Sequence, residues 1–203
     1  MTKNKIKLVI FDAYGPILNG GYPATVKAVS KKVKIPQNKL YEVIYKKYFN
    51  LAAERKISQK EAWQLPIEEL GLPMDWQEFR RLHLDLFRIN DSVFAIAKKT
   101  RKKYKTLMLS KNTRSQFAAC RKKFPAVWKN FDVVINTWEL GLPKASKKTI
   151  LTICKIFKVK PAEIVYIDDQ MNNLVEAKKM GVKTIFYKNF KQFKKEFDRY
   201  IKL

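Results

Sequence analysis

Apolar positions along this chain fall into two kinds of run. Five short runs rich in β-branched and bulky residues read as strands: 6–11, 105–109, 132–135, 163–167 and 183–187. Between the later ones the apolar positions take helical spacing. Ile150, Ile153, Cys154 and Phe157 follow an i, i+3, i+4, i+7 pattern, and Phe117, Cys120 and Phe124 repeat it more briefly. Leu174 and Ala177 lead to a glycine cap at Gly181, and Phe190, Phe193, Phe197, Tyr200 and Ile201 mark a final helix. Strands alternating with helices predict an α/β, Rossmann-like core with a parallel five-stranded sheet covered on both faces.

Residues 18–92 break the alternation. They hold no convincing strand. One amphipathic stripe runs through Leu40, Val43, Ile44, Tyr48 and Leu51, and another through Trp76, Phe79, Leu82 and Leu86. Pro36 and Pro66 read as helix starters. The expected organisation is a core of residues 1–17 and 93–203, interrupted by an all-helical cap of residues 18–92. A cap inserted just after the first strand would emerge beside the ligand-binding edge, where such devices exclude water and select substrate. Trp63, Trp76 and Phe87 read as its small core, the lone His83 as a surface or cap-helix residue, and Arg55 as the residue best suited to reach an anionic substrate.

Polar residues stand where the strands run out. Asp12 ends the first strand, and Ser110 ends the second in Leu109-Ser110-Lys111. Lys144 follows the third in Gly141-Leu142-Pro143-Lys144, and Asp168 and Asp169 end the fourth. The carboxyl edge of a parallel sheet is where α/β proteins bind ligands. Three carboxylates there repel one another and need a cation, and all-oxygen ligation suits Mg²⁺. Lys144 adds neutralising charge, Ser110 suits a phosphate oxygen, and the turn amides after Asp12 predict an anion nest. This is the pattern of phosphoryl transfer to a carboxylate.

Composition narrows the setting. The 203 residues suffice for one domain carrying a smaller inserted one, and a hydrophobic share of 46% excludes a disordered chain. No apolar run approaches the length of a membrane span, and the N-terminal apolar stretch is too short for a signal-peptide core. Cys120 and Cys154 lack metal-type spacing and read as buried free thiols, which places the protein in a reducing cytoplasm. The net charge is +25, with 35 lysines against 8 arginines. Lysines spread over nearly every polar helix face describe a solvated surface, and base readout favours arginine, so nucleic acid is not the expected partner. The densest run, Lys98 to Lys105, reads as the end of a helix, where the dipole favours cations.

With these residues in order, the chain resembles the haloacid dehalogenase (HAD) superfamily over essentially its whole length. Phe11-Asp12-Ala13-Tyr14-Gly15 looks like the first motif, Leu109-Ser110 the second, Lys144 the third, and Ile167-Asp168-Asp169 with Asn173, Ala177 and Gly181 the fourth. The insertion resembles the family's helical cap of the first type. Within the superfamily the likeness is to bacterial glucose-1-phosphate phosphatases and the phosphatase domain of soluble epoxide hydrolase. The resemblance implies that Asp12 is the nucleophile, that Ser110 and Lys144 hold the phosphoryl group, and that Asn173 supports the metal loop. It further implies a Mg²⁺ site from Asp12, the Tyr14 carbonyl and Asp169, with Asp168 beside it or also ligating.

Tyr14 departs from the phosphatase pattern, in which a second Asp two residues after the nucleophile acts as acid and base. Tyr at that place is typical of metal-free 2-haloacid dehalogenases, whose fourth motif usually loses its acids. Pro16, Lys111 and Ile150 are lesser departures. The expected function is a Mg²⁺-dependent phosphatase acting on a small phosphorylated metabolite, such as a sugar phosphate. The alternatives are a metal-free dehalogenase-like hydrolase and a weakly active or inactive binding protein of the same fold.

Overall fold

The computed structural model describes residues 5–203. The first four residues of the expected core segment 1–17 lie outside the described residues. The main sheet has five parallel strands: β1 (Leu8–Asp12), β4 (Lys105–Ser110), β5 (Val133–Asn136), β6 (Ile164–Asp168) and β7 (Lys183–Phe186). Two further strands, β2 (Leu18–Asn19) and β3 (Arg88–Ile89), pair as a separate ribbon. The order across the sheet is β5-β4-β1-β6-β7, which puts β1 at the centre. All five residues of β1 are buried, as the unbroken apolar run 8–11 requires of a strand covered on both faces. The pairing aligns Asp12 with Leu109 and Ser110 with Asn136, so the polar strand ends fall at one edge. Among the described residues no helix is long and apolar enough to cross a membrane.

The chain divides into two compact units. One holds the residues up to Leu18, Ile89–Lys111 and Phe124–Leu203; the other holds Asn19–Arg88 and Asn112–Lys123. In the first, Leu8, Ile10, Leu107, Leu109, Ile150 and Ile153 belong to one buried cluster. On the other face the Phe11 ring meets Phe131 at 5.9 Å and Phe197 at 6.2 Å. Cys120 is a buried free thiol, whereas Cys154 is only half-buried, because it sits at the flank of its helix's apolar stripe.

The helical unit corrects several sequence expectations. Residues Glu42–Phe49 are π-helical, so each turn takes up an extra residue. The inward position after Ile44 is therefore Phe49 and not Tyr48. Tyr48 faces outward and donates its hydroxyl to Glu69 Oε2 at 2.6 Å. Pro66 lies inside the helix Glu61–Leu70 and starts nothing, while Pro36 does precede the helix Gln37–Tyr41. Trp63 and Phe87 are buried, as a small core requires. Arg55 is exposed in a left-handed turn, φ 63°.

His83 is not a surface residue: it is fully buried on the inner ridge Phe79–His83–Phe87. Its Nδ1 lies 2.8 Å from Thr25 Oγ1 and its Nε2 lies 2.9 Å from Gln116 Nε2. Burial, with a smaller contribution from Arg80, pushes the imidazole down to about 3. The ring is therefore neutral in the folded protein, while the unfolded chain takes up a proton near the ordinary 6.5. Because the folded value is the lower, this stability is complete above about pH 6.5 and is lost as pH falls toward 3, at up to about 1.4 kcal/mol per pH unit. Urea unfolding at pH 7 and pH 4.5 checks it. The wild type should lose about 2–3 kcal/mol more than a His83→Gln variant over that interval, and equal losses would contradict the assignment.

Candidate active site

Each predicted chemical residue is delivered by a strand end or the loop after it. Asp12 is the last residue of β1 and is 3% exposed. The chain then turns tightly: Gly15 N–H donates to Leu18 O at 2.7 Å and Leu18 N–H to Ala13 O at 2.9 Å. The Ala13 amide donates to Leu109 O at 3.1 Å. Two of the amides expected to form an anion nest are thus already bonded to carbonyls, which corrects that part of the sequence reading. Gly15 has φ +100°, and a Cβ there would lie 2.4 Å from the Asp169 carboxylate. Only glycine allows the first-strand turn to come this close to Asp169. Tyr14 is half-buried in the same turn.

Lys144 reaches the site from a loop held at both ends. Gly141 caps the preceding helix in the left-handed conformation. On the other side, Ser146 caps the helix Lys147–Phe157, and Thr149 Oγ1 donates to Pro143 O at 2.7 Å. The ammonium, 2% exposed, lies 2.5 Å from Asp12 Oδ1 and 2.8 Å from Asp168 Oδ2. Burial alone would lower its pKa, but Asp12 and Asp168 outweigh burial and hold it above the ordinary lysine range.

Asp168 ends β6 and Asp169 follows it, but the two differ in surroundings. The Asp168 carboxylate is fully buried and crowded with donors. Besides Lys144, it accepts from Tyr166 Oη at 2.7 Å, from the Gln170 amide at 2.8 Å, and from Asn173 Nδ2 at 3.0 and 3.1 Å. Asp169 is partly buried, and its Oδ1 is buried with no hydrogen-bond partner among the described residues. Burial first, then Asp168, pushes Asp169 up to about 6. Asp12 is also raised, by burial and by Asp168, against the pull of Lys144. Ser110 Oγ, at the end of β4, is buried and likewise has no hydrogen-bond partner among the described residues.

Asp12, Asp168 and Asp169 offer carboxylate oxygens within 4.8 Å of one another. With Lys144 the ionised group carries a net charge of −2, and its mutual repulsion adds to burial in raising Asp12 and Asp169. The donor set fits a small hard divalent cation, which takes one or two carboxylates and substrate oxygens. Asp169 Oδ1, buried without a hydrogen-bond partner among the described residues, is an oxygen that a cation would satisfy. Tyr166 was not anticipated as a site residue. In the sequence it looks like one more bulky strand position, and only the pleat shows its hydroxyl beside Asp168 two residues on.

A family model described as haloacid dehalogenase-like hydrolase matches residues 6–181. Among solved structures, the chain is similar to a HAD family enzyme from Bacteroides thetaiotaomicron, a variant of which was crystallised with magnesium and inorganic phosphate. The identity is 19%, the TM-score 0.71, and the match covers 90% of this chain and 94% of that one. It is also similar to a HAD-like family hydrolase from Porphyromonas gingivalis, at 21% identity and TM-score 0.67, over 89% of this chain and 90% of that one. L-2-haloacid dehalogenase from Xanthobacter autotrophicus matches at 18% identity and TM-score 0.66, over 88% of this chain and 76% of that one. At these identities the structural likeness speaks for the fold.

Proposed function

The chain belongs to the haloacid dehalogenase-like hydrolase family, and from that premise we propose that it is a magnesium-dependent phosphatase of a small phosphorylated metabolite. The observation that carries this reading is the trio Asp12, Asp168 and Asp169 around the buried ammonium of Lys144. Lys144 alone leaves the three acids with a surplus of negative charge, which a divalent cation would balance. Asp12, Asp169 and the Tyr14 carbonyl would hold the ion, and Asp168 would hold Lys144. When bound, the ion neutralises phosphate charge and orients the phosphoryl group.

The chain's own groups supply the rest. The Asp12 carboxylate attacks phosphorus; the new O–P bond forms as the bond to the leaving oxygen breaks, giving an aspartyl-phosphate. Ser110 Oγ, a buried donor without a hydrogen-bond partner among the described residues, and the Lys144 ammonium hold the phosphoryl oxygens. Water then attacks phosphorus, releasing inorganic phosphate and restoring Asp12.

No carboxylic acid stands two residues after Asp12, since that place is Tyr14. Positioned proton transfer contributes roughly 10²–10⁴-fold, and a phenol with a pKa of about 10 donates poorly near neutral pH. Substrates with good leaving groups, such as anomeric or acyl phosphates, are therefore favoured. An aryl phosphate should turn over at least about 10²-fold faster than an alkyl phosphate in Mg²⁺, and EDTA should stop both. Equal rates would remove the leaving-group argument, and hydrolysis indifferent to EDTA would remove the metal. Tyr14 also favours a second reading, a dehalogenase-like hydrolase; halide release from a 2-haloacid without phosphate hydrolysis would establish it.

A further inference from the structure

Residues Asn112–Lys123 come one residue after the strand that ends at Ser110, yet they group with Asn19–Arg88 and not with the sheet. The chain therefore passes between the two units at the Lys111–Asn112 peptide, immediately after the residue that follows Ser110. The helix Arg114–Lys123 is a poor candidate for hydrophobic anchoring. Its buried residues are Gln116 and Cys120, so a polar amide is one of only two inward anchors.

The directions of the bonds around that amide follow from one another. Thr25 donates its hydroxyl to Gly21 O at 2.8 Å. Thr25 Oγ1 must then accept from His83, which places the imidazole proton on Nδ1 and leaves Nε2 as an acceptor. Gln116 Nε2 donates to that Nε2 at 2.9 Å. The amide orientation this requires turns Gln116 Oε1 toward Tyr22, whose hydroxyl donates to it at 3.3 Å. The chain Tyr22–Gln116–His83–Thr25–Gly21 is thus consistently directed, and all five residues are buried. Ser115 N–H to Gln59 Oε1 and Lys123 Nζ to Leu84 O at 2.7 Å fasten the same helix further.

We propose that Gln116 is a positioning residue that ties the segment after Ser110 to the helical unit, so that the order of that unit is passed along six peptide bonds to the Ser110 hydroxyl. Gln116 touches no substrate; it acts through the chain. The kinetic consequence rests on the phosphatase reading above, because it assumes that Ser110 holds phosphate. The tie itself does not.

Hydrogen exchange of the full chain, followed by mass spectrometry, tests the tie. Gln116→Met keeps the length of the side chain but cannot donate to His83 or accept from Tyr22. Amides of 111–123 should then exchange about 10-fold faster or more, with those of β4 and β6 unchanged. Thr25→Val, far away in sequence and outside the helix, should loosen the same amides through His83, and it serves if Gln116→Met does not fold. Lys122→Gln on the exposed side of the helix should leave them unchanged. Wild-type exchange rates at 111–123 in both inner variants would overturn the proposal. In the same proteins, KM for an aryl phosphate should rise several-fold while the magnesium concentration for half-activity stays put. Faster exchange with unaltered KM and kcat would overturn the positioning role. A wild type that hydrolyses no phosphate would sink the phosphatase reading, and the exchange rates would still decide the tie.

Discussion

Lys144→Met should destabilise the metal-free protein by about 3–5 kcal/mol at neutral pH, because breaking a buried ion pair leaves uncompensated charge in the interior. The ammonium is 2% exposed and bridges Asp12 and Asp168. Its loss leaves three carboxylates within 4.8 Å of one another with no cation. Methionine matches the volume of the lysine stem, so little of the cost comes from a cavity. Urea unfolding in EDTA should show the full deficit, and saturating Mg²⁺ should return part of it, since a second cation then stands among the acids. Hydrolysis should fall at least about 10²-fold even with Mg²⁺ present, the usual cost of removing one preorganised donor from the transition state. A variant as stable as the wild type in EDTA would mean that Lys144 does not neutralise the acids.

The five sheet strands were legible because each apolar run is short, rich in bulky residues and closed by a polar residue. The same closure made Asp12, Ser110 and the Asp168-Asp169 pair visible. Their order across the sheet was not legible, since it is set by which faces the intervening helices cover. The helical unit was harder to read for local reasons. A 3.6-residue period places Tyr48 inside, but the π-helical stretch moves the inward position to Phe49. His83 and Gln116 were missed because a polar residue on an apolar ridge reads as a solvated face. The partners that satisfy His83 stand 58 and 33 residues away. The difference between Asp168 and Asp169 was also hidden: the two are adjacent and identical in type, and only Tyr166, Lys144 and Asn173 make one crowded and the other open.

Asp12→Asn should abolish magnesium-dependent hydrolysis, a loss of at least about 10³-fold, because a neutral amide cannot attack phosphorus and nothing else in the group replaces it. Inactivity alone would not separate a missing nucleophile from a damaged fold, but the charge argument supplies a second readout. The Asp12 carboxyl is held above its ordinary value by burial and by Asp168. A carboxyl raised in the folded state stabilises at low pH, and that contribution is lost as pH rises through its folded value. At neutral pH this raised carboxyl therefore burdens the metal-free wild type, and asparagine removes the burden at equal size. In EDTA at pH 7 the variant should be at least as stable as the wild type, and the difference should shrink toward pH 4. In saturating Mg²⁺ the order should narrow or reverse, because the wild type gains a ligand that the variant lacks. A variant that is inactive but markedly less stable in EDTA would show that Asp12 serves mainly as the structural partner of Lys144. A stable variant with wild-type turnover would remove Asp12 as the nucleophile.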